Sequence, residues 1–240
     1  MSYYPSNKGV SNLNKIEPLY DKQCTCLLCH TKFTTKKLRS RFVKLEKLDT
    51  DFFPIYAEHN PLLYFINVCP ACGFSYSDDT VPSFSPDSKM MLIEKVCSQW
   101  IPHSFGEVRS IEDSVKTYKL AAYCASLRKD KHITLAGLHL RIAWHYRMLN
   151  NTDQEMRFIN LALSEYETSY SVGDYQGTQV SELRTIYLIA DLSKRTNNLE
   201  KATKYFSKVI EQQSRTVETQ IVKLAKESWQ EMRDYQKTFI

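Results

Sequence analysis

The stretches that decide the fold of the amino-terminal region are Cys26-Leu27-Leu28-Cys29 and Cys69-Pro70-Ala71-Cys72-Gly73. Each stretch separates two thiols by two residues, and a tight turn of that length points both sulfurs at one metal ion. Four thiolates from two such turns complete a tetrahedral structural site. The spacing therefore predicts a metal site at Cys26, Cys29, Cys69 and Cys72, with zinc as the expected ion and iron in a rubredoxin-like site as the alternative.

The separation between the two motifs predicts β structure between them. It amounts to 39 residues, more than the roughly 15 to 20 of a compact four-cysteine template. Two strands or a hairpin would fill the interval, as in a zinc ribbon. The apolar run at residues 62–68 is typical of a buried strand, and residues 41–48 are typical of an earlier one.

Other thiols and histidines leave alternatives open. Cys24 lies two residues before the first motif and is a possible replacement for Cys26 as a ligand. Residues 26–30 match the haem-attachment pattern C-x-x-C-H, and either cysteine pair is a potential redox dithiol. His59 is interpreted as a turn residue rather than a ligand or base. Cys97 and Cys124 stand alone in apolar helical surroundings and are interpreted as small buried hydrophobes.

Composition bounds the class of protein. The 240 residues are 42% hydrophobic and 25% charged, which excludes wholesale disorder, and six glycines disfavour a glycine-rich phosphate-binding fold. The net charge of +5 permits an anionic partner without requiring one. No apolar run reaches transmembrane length, and residues 1–13 lack the apolar core of a secretory signal. With an odd number of cysteines, seven, these features predict a cytoplasmic protein without a membrane partner.

The chain divides into a flexible leader at residues 1–17, a zinc-ribbon-like metal-binding region at 18–84 and a helical domain at 85–240. Residues 81–87 carry two prolines and two serines and are interpreted as a linker. Capping boxes at residues 110–113 and 152–155 predict helix starts, and further helices are expected at 178–195, 198–214 and 216–238. The predicted fold class is α+β, mainly α.

A weak self-similarity at a 47-residue offset is similar to tetratricopeptide repeats, which have a period of about 34 residues. It predicts antiparallel helical hairpins, with an ordinary helical bundle as the alternative. Stacked hairpins commonly form a concave groove for a protein or peptide partner. The candidate groove residues are Arg141, Tyr146 and Arg147.

A basic stretch between the cysteine motifs offers a second surface. Its cations Lys36, Lys37, Arg39 and Arg41 are interleaved with aromatic rings, a pattern that suits phosphates and stacked bases. The alternative is a solvated strand face. No phosphate-binding loop, nucleophile elbow, dinucleotide fingerprint or zincin motif is present, so nothing in the sequence indicates an enzyme.

Several ordered motifs together resemble a known family. Besides the two cysteine pairs they are Leu19-Tyr20-Asp21-Lys22, Phe33-Thr34-Thr35-Lys36-Lys37-Leu38-Arg39-Ser40-Arg41, Asn60-Pro61-Leu62-Leu63-Tyr64 and Leu140-Arg141-Ile142-Ala143-Trp144-His145-Tyr146-Arg147. Over about residues 18 to 215 the chain resembles the bacterial DUF2225 proteins. The resemblance implies a two-knuckle region followed by repeat-like helices and implies no activity. Leu27 and His30 stand where the family usually has proline and glycine, which makes the first turn less favourable.

The leading hypothesis from the sequence is a non-catalytic zinc-binding adaptor whose helical region binds a protein or peptide. Nucleic-acid binding through the basic stretch is one alternative. A redox role with iron at the four cysteines is the other.

Overall fold

The computed structural model describes residues 16–238. Within them, short strands come first and helices follow, which confirms the predicted α+β, mainly α class. Of the leader predicted at residues 1–17, residues 1–15 lie outside the described residues. None of the described helices combines the length and the apolar character that crossing a bilayer requires.

Three two-stranded antiparallel sheets build the amino-terminal region. They pair β1 with β2, β3 with β4 and β5 with β6, whose bounds are Leu19–Thr25, Lys32–Leu38, Leu45–Leu48, Pro54–Tyr56, Ile66–Val68 and Ser75–Ser77. The β1–β2 turn carries Cys26 and Cys29, and the β5–β6 turn carries Cys69 and Cys72. Each cysteine motif is therefore the tip of its own hairpin.

Helices account for most of the remaining chain. The bounds of α1 to α7 are Pro86–Lys95, Ile111–Arg128, His132–Met148, Thr152–Val172, Glu182–Arg195, Leu199–Glu211 and Thr219–Thr238. Three-residue connections make α2 and α3, α3 and α4, and α5 and α6 antiparallel neighbours. These pairs are antiparallel helical hairpins, and their likeness to tetratricopeptide repeats stays a prediction.

Side-chain caps explain where several helices begin. The Ser110 hydroxyl accepts a hydrogen bond from the Asp113 amide at the start of α2, as the sequence predicted. At α4 the cap is Asn151, one residue before the predicted Thr152, because the Asn151 side chain accepts from the Gln154 amide. Thr152 is instead the first residue of the helix.

Three expected segments differ from the structure. Residues 61–64 form a 3-10 turn before β5, because Pro61 lacks an amide donor and the Asn60 side chain binds the Leu62 amide at 2.9 Å. Residues 40–42 form another 3-10 turn, so only residues 45–48 of the strand predicted at 41–48 pair in a sheet. The expected linker ends early, since Ser85 caps α1 and Pro86 begins it.

The hydrophobic core crosses the predicted domain boundary at residues 84 and 85. Phe53, Leu62, Ile66 and Val68 from the amino-terminal region lie in the same buried cluster as the faces of α2 to α7. The boundary itself stays a prediction. Because apolar surface from both regions is removed from water together, each region stabilises the other.

Residues 101–110 return to the strands after α1. The Gly106 carbonyl accepts a hydrogen bond from the Lys36 amide at 2.8 Å. Arg109 is buried and donates to the carbonyls of Phe105 and Ile66 at 2.7 and 2.8 Å. This segment therefore binds the start of the helices to β2 and β5.

Candidate metal centre

The two hairpin tips bring four thiols together. The sulfurs of Cys26, Cys29, Cys69 and Cys72 all lie within 4.8 Å of one another. The Sγ–Sγ distance is 3.7 Å between Cys26 and Cys72 and 3.6 Å between Cys29 and Cys69. A tetrahedral ion with metal–sulfur bonds of about 2.3 Å needs sulfurs about 3.8 Å apart. The spacing thus fits a tetrahedral ion and is far too long for a disulfide.

Both cysteine turns have the same backbone geometry. In the first, the Cys26 carbonyl accepts from the His30 amide at 3.0 Å, and in the second, the Cys69 carbonyl accepts from the Gly73 amide at 2.9 Å. The residue after each second cysteine is left-handed, with φ of 61° at His30 and 73° at Gly73. Glycine adopts this conformation without strain, whereas histidine pays a steric penalty.

Hydrogen bonds to sulfur stabilise negative charge within the cluster. The Leu28 and Cys29 amides lie 3.4 and 3.5 Å from the Cys26 sulfur. Hydrogen bonds from the Cys26 and Cys72 thiols hold the pKa of Cys69 well below its ordinary value. The pKa of Cys26 is raised mainly by its hydrogen bond with Cys69, and the pKa of Cys72 is raised mainly by its hydrogen bonds with Cys26 and Cys69. Thiolates are the form of cysteine that binds metal, so loading an ion at this group of thiols releases protons.

Trp100 closes one side of the centre. Its indole Nε1 donates to the Pro70 carbonyl at 2.9 Å, and its ring lies against Gly73. A Cβ at Gly73 would overlap with Trp100 Cε3, so glycine is needed for the close approach as well as for its φ. The Tyr76 hydroxyl donates to the Thr25 carbonyl at 3.0 Å and joins the two hairpins.

The remaining thiols surround the centre without joining it. Cys24 is half-buried opposite Phe33 in the β1–β2 sheet, and the four-sulfur group contains Cys26 instead. Cys97 is half-buried and packs against the centre, while Cys124 is fully buried beside it. His59 contacts the Phe42 ring edge-on, with centroids 6.1 Å apart. Within residues 16–238, no other His, Cys, Asp and Glu side chains form a metal-competent group.

A comparison with models of protein families identifies the family to which the chain belongs. A family model described as "Uncharacterized protein conserved in bacteria (DUF2225)" matches residues 19–232. The chain belongs to the DUF2225 family. This confirms the family suggested by the ordered motifs. Searches of the curated proteins and of the solved structures returned no match.

Two of the predicted nucleic-acid residues of this DUF2225 protein make internal contacts. Lys36 pairs with Asp21 at 2.6 Å. The Lys37 ammonium donates to the Tyr64 carbonyl at 2.7 Å, and burial lowers its pKa. Arg39 and Arg41 are exposed, and their guanidinium groups lie over the rings of neighbouring aromatics. Lys36 and Lys37 are therefore paired with acids, whereas Arg39 and Arg41 have no ion-pair partner among the described residues.

The three predicted groove residues lie on different faces of α3 in this DUF2225 protein. Arg147 points toward the amino-terminal region and binds Asp51 at 2.7 Å and Asp49 at 3.0 Å. Arg141 lies over Phe65, with its guanidinium carbon 5.0 Å from the ring centroid. Tyr146 points away from them and stacks on Phe158 of α4, with centroids 5.6 Å apart. The structure thus separates these residues instead of placing them in one groove.

The β3–β4 loop, residues 49–53, inserts between α3 and α5. Asp51 is fully buried and accepts hydrogen bonds from Trp144 Nε1 at 3.0 Å and from Arg147. The Thr50 carbonyl accepts from the Tyr187 hydroxyl at 2.8 Å. Arg195 completes the network through Asp49, at 3.2 Å.

Sequence reasoning missed this loop. Its one local signal is two acids, Asp49 and Asp51, followed directly by two phenylalanines. The helical face that Arg147 lines is consequently filled by the protein's own chain.

Proposed function

We propose that this protein is a non-catalytic adaptor that holds zinc at Cys26, Cys29, Cys69 and Cys72 and binds a protein or peptide partner through its helical region. The closed set of four thiols carries the metal part of the proposal. With all four positions taken by protein sulfurs, no position is left for a water or substrate, so the ion serves structure rather than hydrolysis. Zinc is preferred to iron because the expected role is structural.

A second buried cluster, separate from the main hydrophobic core, supports a coupling between the metal and the helices. It contains Cys26, Cys69 and Cys72 together with Leu92 of α1 and Cys124 of α2. An ion that fixes the two hairpins also fixes the surface on which α1 and α2 pack. In this proposal the metal keeps the helical region in the conformation that the partner recognises.

The helical region supplies the partner surface in this proposal. The β3–β4 loop covers the helical face that Arg147 lines. The faces of α2, α3 and α4 that point away from this loop are left for another molecule. A cytoplasmic location agrees with the free thiols, since reducing compartments keep such cysteines available for metal. No catalytic group is needed for this role.

Metal analysis of protein purified anaerobically without added metal tests the proposal that the four cysteines hold zinc. One zinc per chain and no colour is the expected result. Iron with thiolate absorption in the visible spectrum would replace the zinc proposal with the redox alternative. A folded protein without metal would overturn both.

Affinity capture with the full-length protein tests the adaptor role. A specific partner should be retained by the wild type and lost when exposed residues of α2 and α4 are changed. An equivalent set of changes on α6 is the matched control. If all variants capture the same proteins equally, the helical region is not the partner surface.

A second candidate is nucleic-acid binding, which the exposed pair Arg39 and Arg41 favours. No described acid lies within ion-pair distance of either guanidinium. Arg39 Nε donates to the Glu17 carbonyl at 3.2 Å, which leaves the terminal nitrogens of Arg39, like the Arg41 guanidinium, for phosphates in this candidate function. Changing both to glutamate should abolish RNA or DNA binding that weakens steeply with salt. Lys36→Glu is the comparison, because Lys36 is already paired with Asp21. Binding that ignores the arginine pair would exclude this candidate.

A further inference from the structure

One of the four thiols of the metal centre faces solvent. Cys29 is exposed, whereas the other three cysteines of the centre are buried. On the second cysteine turn the Trp100 ring lies against Gly73, but on the first turn residues 29–32 are all exposed. The centre is therefore covered on one side and open at Cys29, so a small polar reagent reaches this sulfur first.

The exposed sulfur lies beside a buried one. Within the described residues, its hydrogen-bond contacts are the Thr31 hydroxyl at 3.3 Å and the Cys69 sulfur at 3.6 Å. Thr31 is exposed like Cys29 itself, whereas Cys69 is fully buried. The Cys29 sulfur thus has solvent on one side and a second thiol on the other.

This sulfur contact joins the two hairpins. Cys29 belongs to the β1–β2 turn and Cys69 to the β5–β6 turn. The two C-x-x-C motifs suggest dithiols within each turn, but the Cys29 sulfur instead contacts the opposite hairpin. A disulfide needs sulfurs about 2.05 Å apart, so the two atoms would have to approach by about 1.5 Å.

We propose that Cys29 is an oxidation site for a peroxide, and that its oxidation forms a disulfide with Cys69 and releases the zinc. Cys26 and Cys72 are then the only thiolates left, half of the four that a closed structural zinc site uses. The proposed oxidation rests on the adaptor's zinc centre and specifies how that centre is regulated.

The chemistry takes two steps. The Cys29 thiolate attacks one peroxide oxygen, the O–O bond breaks, hydroxide leaves and the sulfur becomes a sulfenic acid. The Cys69 thiolate then attacks the Cys29 sulfur, the S–O bond breaks, a second hydroxide leaves and the S–S bond forms. Two thiolates lose one electron each, and the peroxide gains both. Because oxygen arrives from solvent and Cys69 lies on the buried side, the attacking and leaving groups are on opposite faces of the sulfur.

Loss of the ion would reach the helices. The buried cluster of the centre includes Leu92 of α1 and Cys124 of α2, so releasing the two hairpins also releases the surface on which these helices pack. In a reducing compartment, exchange with other thiols reopens the disulfide, and the four cysteines can bind zinc again. Peroxide would therefore switch the adaptor reversibly.

The zinc-loaded full-length protein is the test material. It is treated with hydrogen peroxide in the presence of dimedone, which traps sulfenic acids, and the tryptic peptides are identified by mass spectrometry. The dimedone adduct should appear at Cys29. Without dimedone, a disulfide should link peptide 23–32 to peptide 48–89. A disulfide within either C-x-x-C motif would leave these two peptides separate.

Zinc release, followed with a coloured chelator, is the second measurement. Peroxide should release one zinc per chain from the wild type, and dithiothreitol should restore zinc binding. Cys29→Ser should release zinc about tenfold more slowly, because the exposed nucleophile is missing. Cys24→Ser and Cys97→Ser are the matched controls and should behave like the wild type, since neither cysteine belongs to the four-sulfur group. If Cys29→Ser does not hold zinc, the adduct and disulfide of the wild type still decide.

Three results would overturn the inference: zinc retained under peroxide without any disulfide, a dimedone adduct on another thiol, or a disulfide other than Cys29–Cys69. Each of them leaves the metal content and the partner capture of the adaptor proposal standing. Protein purified without zinc would instead reject the zinc centre before any oxidation is attempted.

Discussion

His30 and Gly73 occupy the same position in the two cysteine turns, and both have positive φ. The left-handed conformation costs an ordinary residue about 1 to 2 kcal/mol. Glycine avoids this cost, but its greater conformational freedom in the unfolded chain offsets part of the gain. His30 therefore lowers the stability of the first turn relative to the second. This difference is local and follows from one side chain.

Replacing His30 with glycine should raise the free energy of unfolding by about 1 kcal/mol. Urea denaturation of the metal-loaded protein measures the change. His30→Ala is the control, since alanine keeps the Cβ that causes the strain and should bring no comparable gain. A loss of stability in His30→Gly would show that the imidazole makes a stabilising contact.

The reverse change at Gly73 should be costly. In Gly73→Ala the added Cβ meets both a left-handed backbone and the Trp100 ring, so we expect a loss of about 3 kcal/mol. A double-mutant cycle with Trp100→Leu separates the two causes. The combined loss should be smaller than the sum, because the smaller side chain relieves the clash. Additive losses would assign the cost to the backbone alone.

His145 gives the fold a pH dependence. The ring is fully buried, Nδ1 donates to the Arg141 carbonyl at 2.6 Å, and Nε2 accepts from the Ser114 hydroxyl at 2.7 Å. Burial lowers its pKa from 6.5 to about 4. Between these values the unfolded chain takes up a proton that the native state does not, so stability falls as the pH decreases.

The His145 contribution should amount to about 3 kcal/mol lost between pH 6.5 and pH 4. Denaturation curves across this range measure it by comparison with His145→Gln. The glutamine variant should lose less stability on acidification because its side chain does not titrate. Parallel pH profiles for the two proteins would contradict the assignment.

At the scale of elements, the β3–β4 loop joins the two regions through buried charges. Asp51 contributes most directly, because its carboxylate is fully buried and binds both Arg147 and the Trp144 indole. Removing one member of such a network leaves the other charge buried with fewer partners.

Asp51→Ala should therefore lower the free energy of unfolding by about 3 kcal/mol or more. Thermal and urea denaturation both report this change. Asp79→Ala is the matched control, since Asp79 is exposed and should change stability by less than about 0.5 kcal/mol. Equal effects of the two substitutions would mean that the loop does not join the regions energetically.

At the scale of the whole molecule, the metal should stabilise the neighbouring helices as well as the hairpins that hold it. Structural zinc supplies on the order of 10 kcal/mol to a small domain. Here the centre shares its buried cluster with Leu92, Val96 and Cys124 of the helical region. Metal removal is therefore expected to affect α1 and α2 as well.

Chelation should abolish hydrogen-exchange protection in β1, β2, β5, β6 and α1, reduce it in α2, and lower the melting temperature. Protection in α5 and α6 should persist, because these helices pack in the main cluster away from the centre. Cys69→Ser should reproduce the pattern without chelator, and Cys24→Ser, outside the four-sulfur group, is the control. Unchanged protection after metal loss would remove the structural role of the ion.

The sequence by itself determined the cysteine turns, the family, the α+β class and several helix starts. These features depend on local spacing: two residues between thiols, a cap three residues from its amide, and apolar residues at helical intervals. The same locality explains the errors at residues 61–64 and 151, where proline and asparagine changed the backbone within one turn.

Only the tertiary structure decided what the charged and aromatic residues do. Arg147 meets Asp51 across 96 positions of sequence, whereas Tyr146, one residue away, faces α4 and stacks on Phe158. Lys37 and Arg39 likewise divide between interior and surface. Such contacts require the packed helices and hairpins to exist first, since partners so distant in sequence are brought together only when the shared hydrophobic core forms.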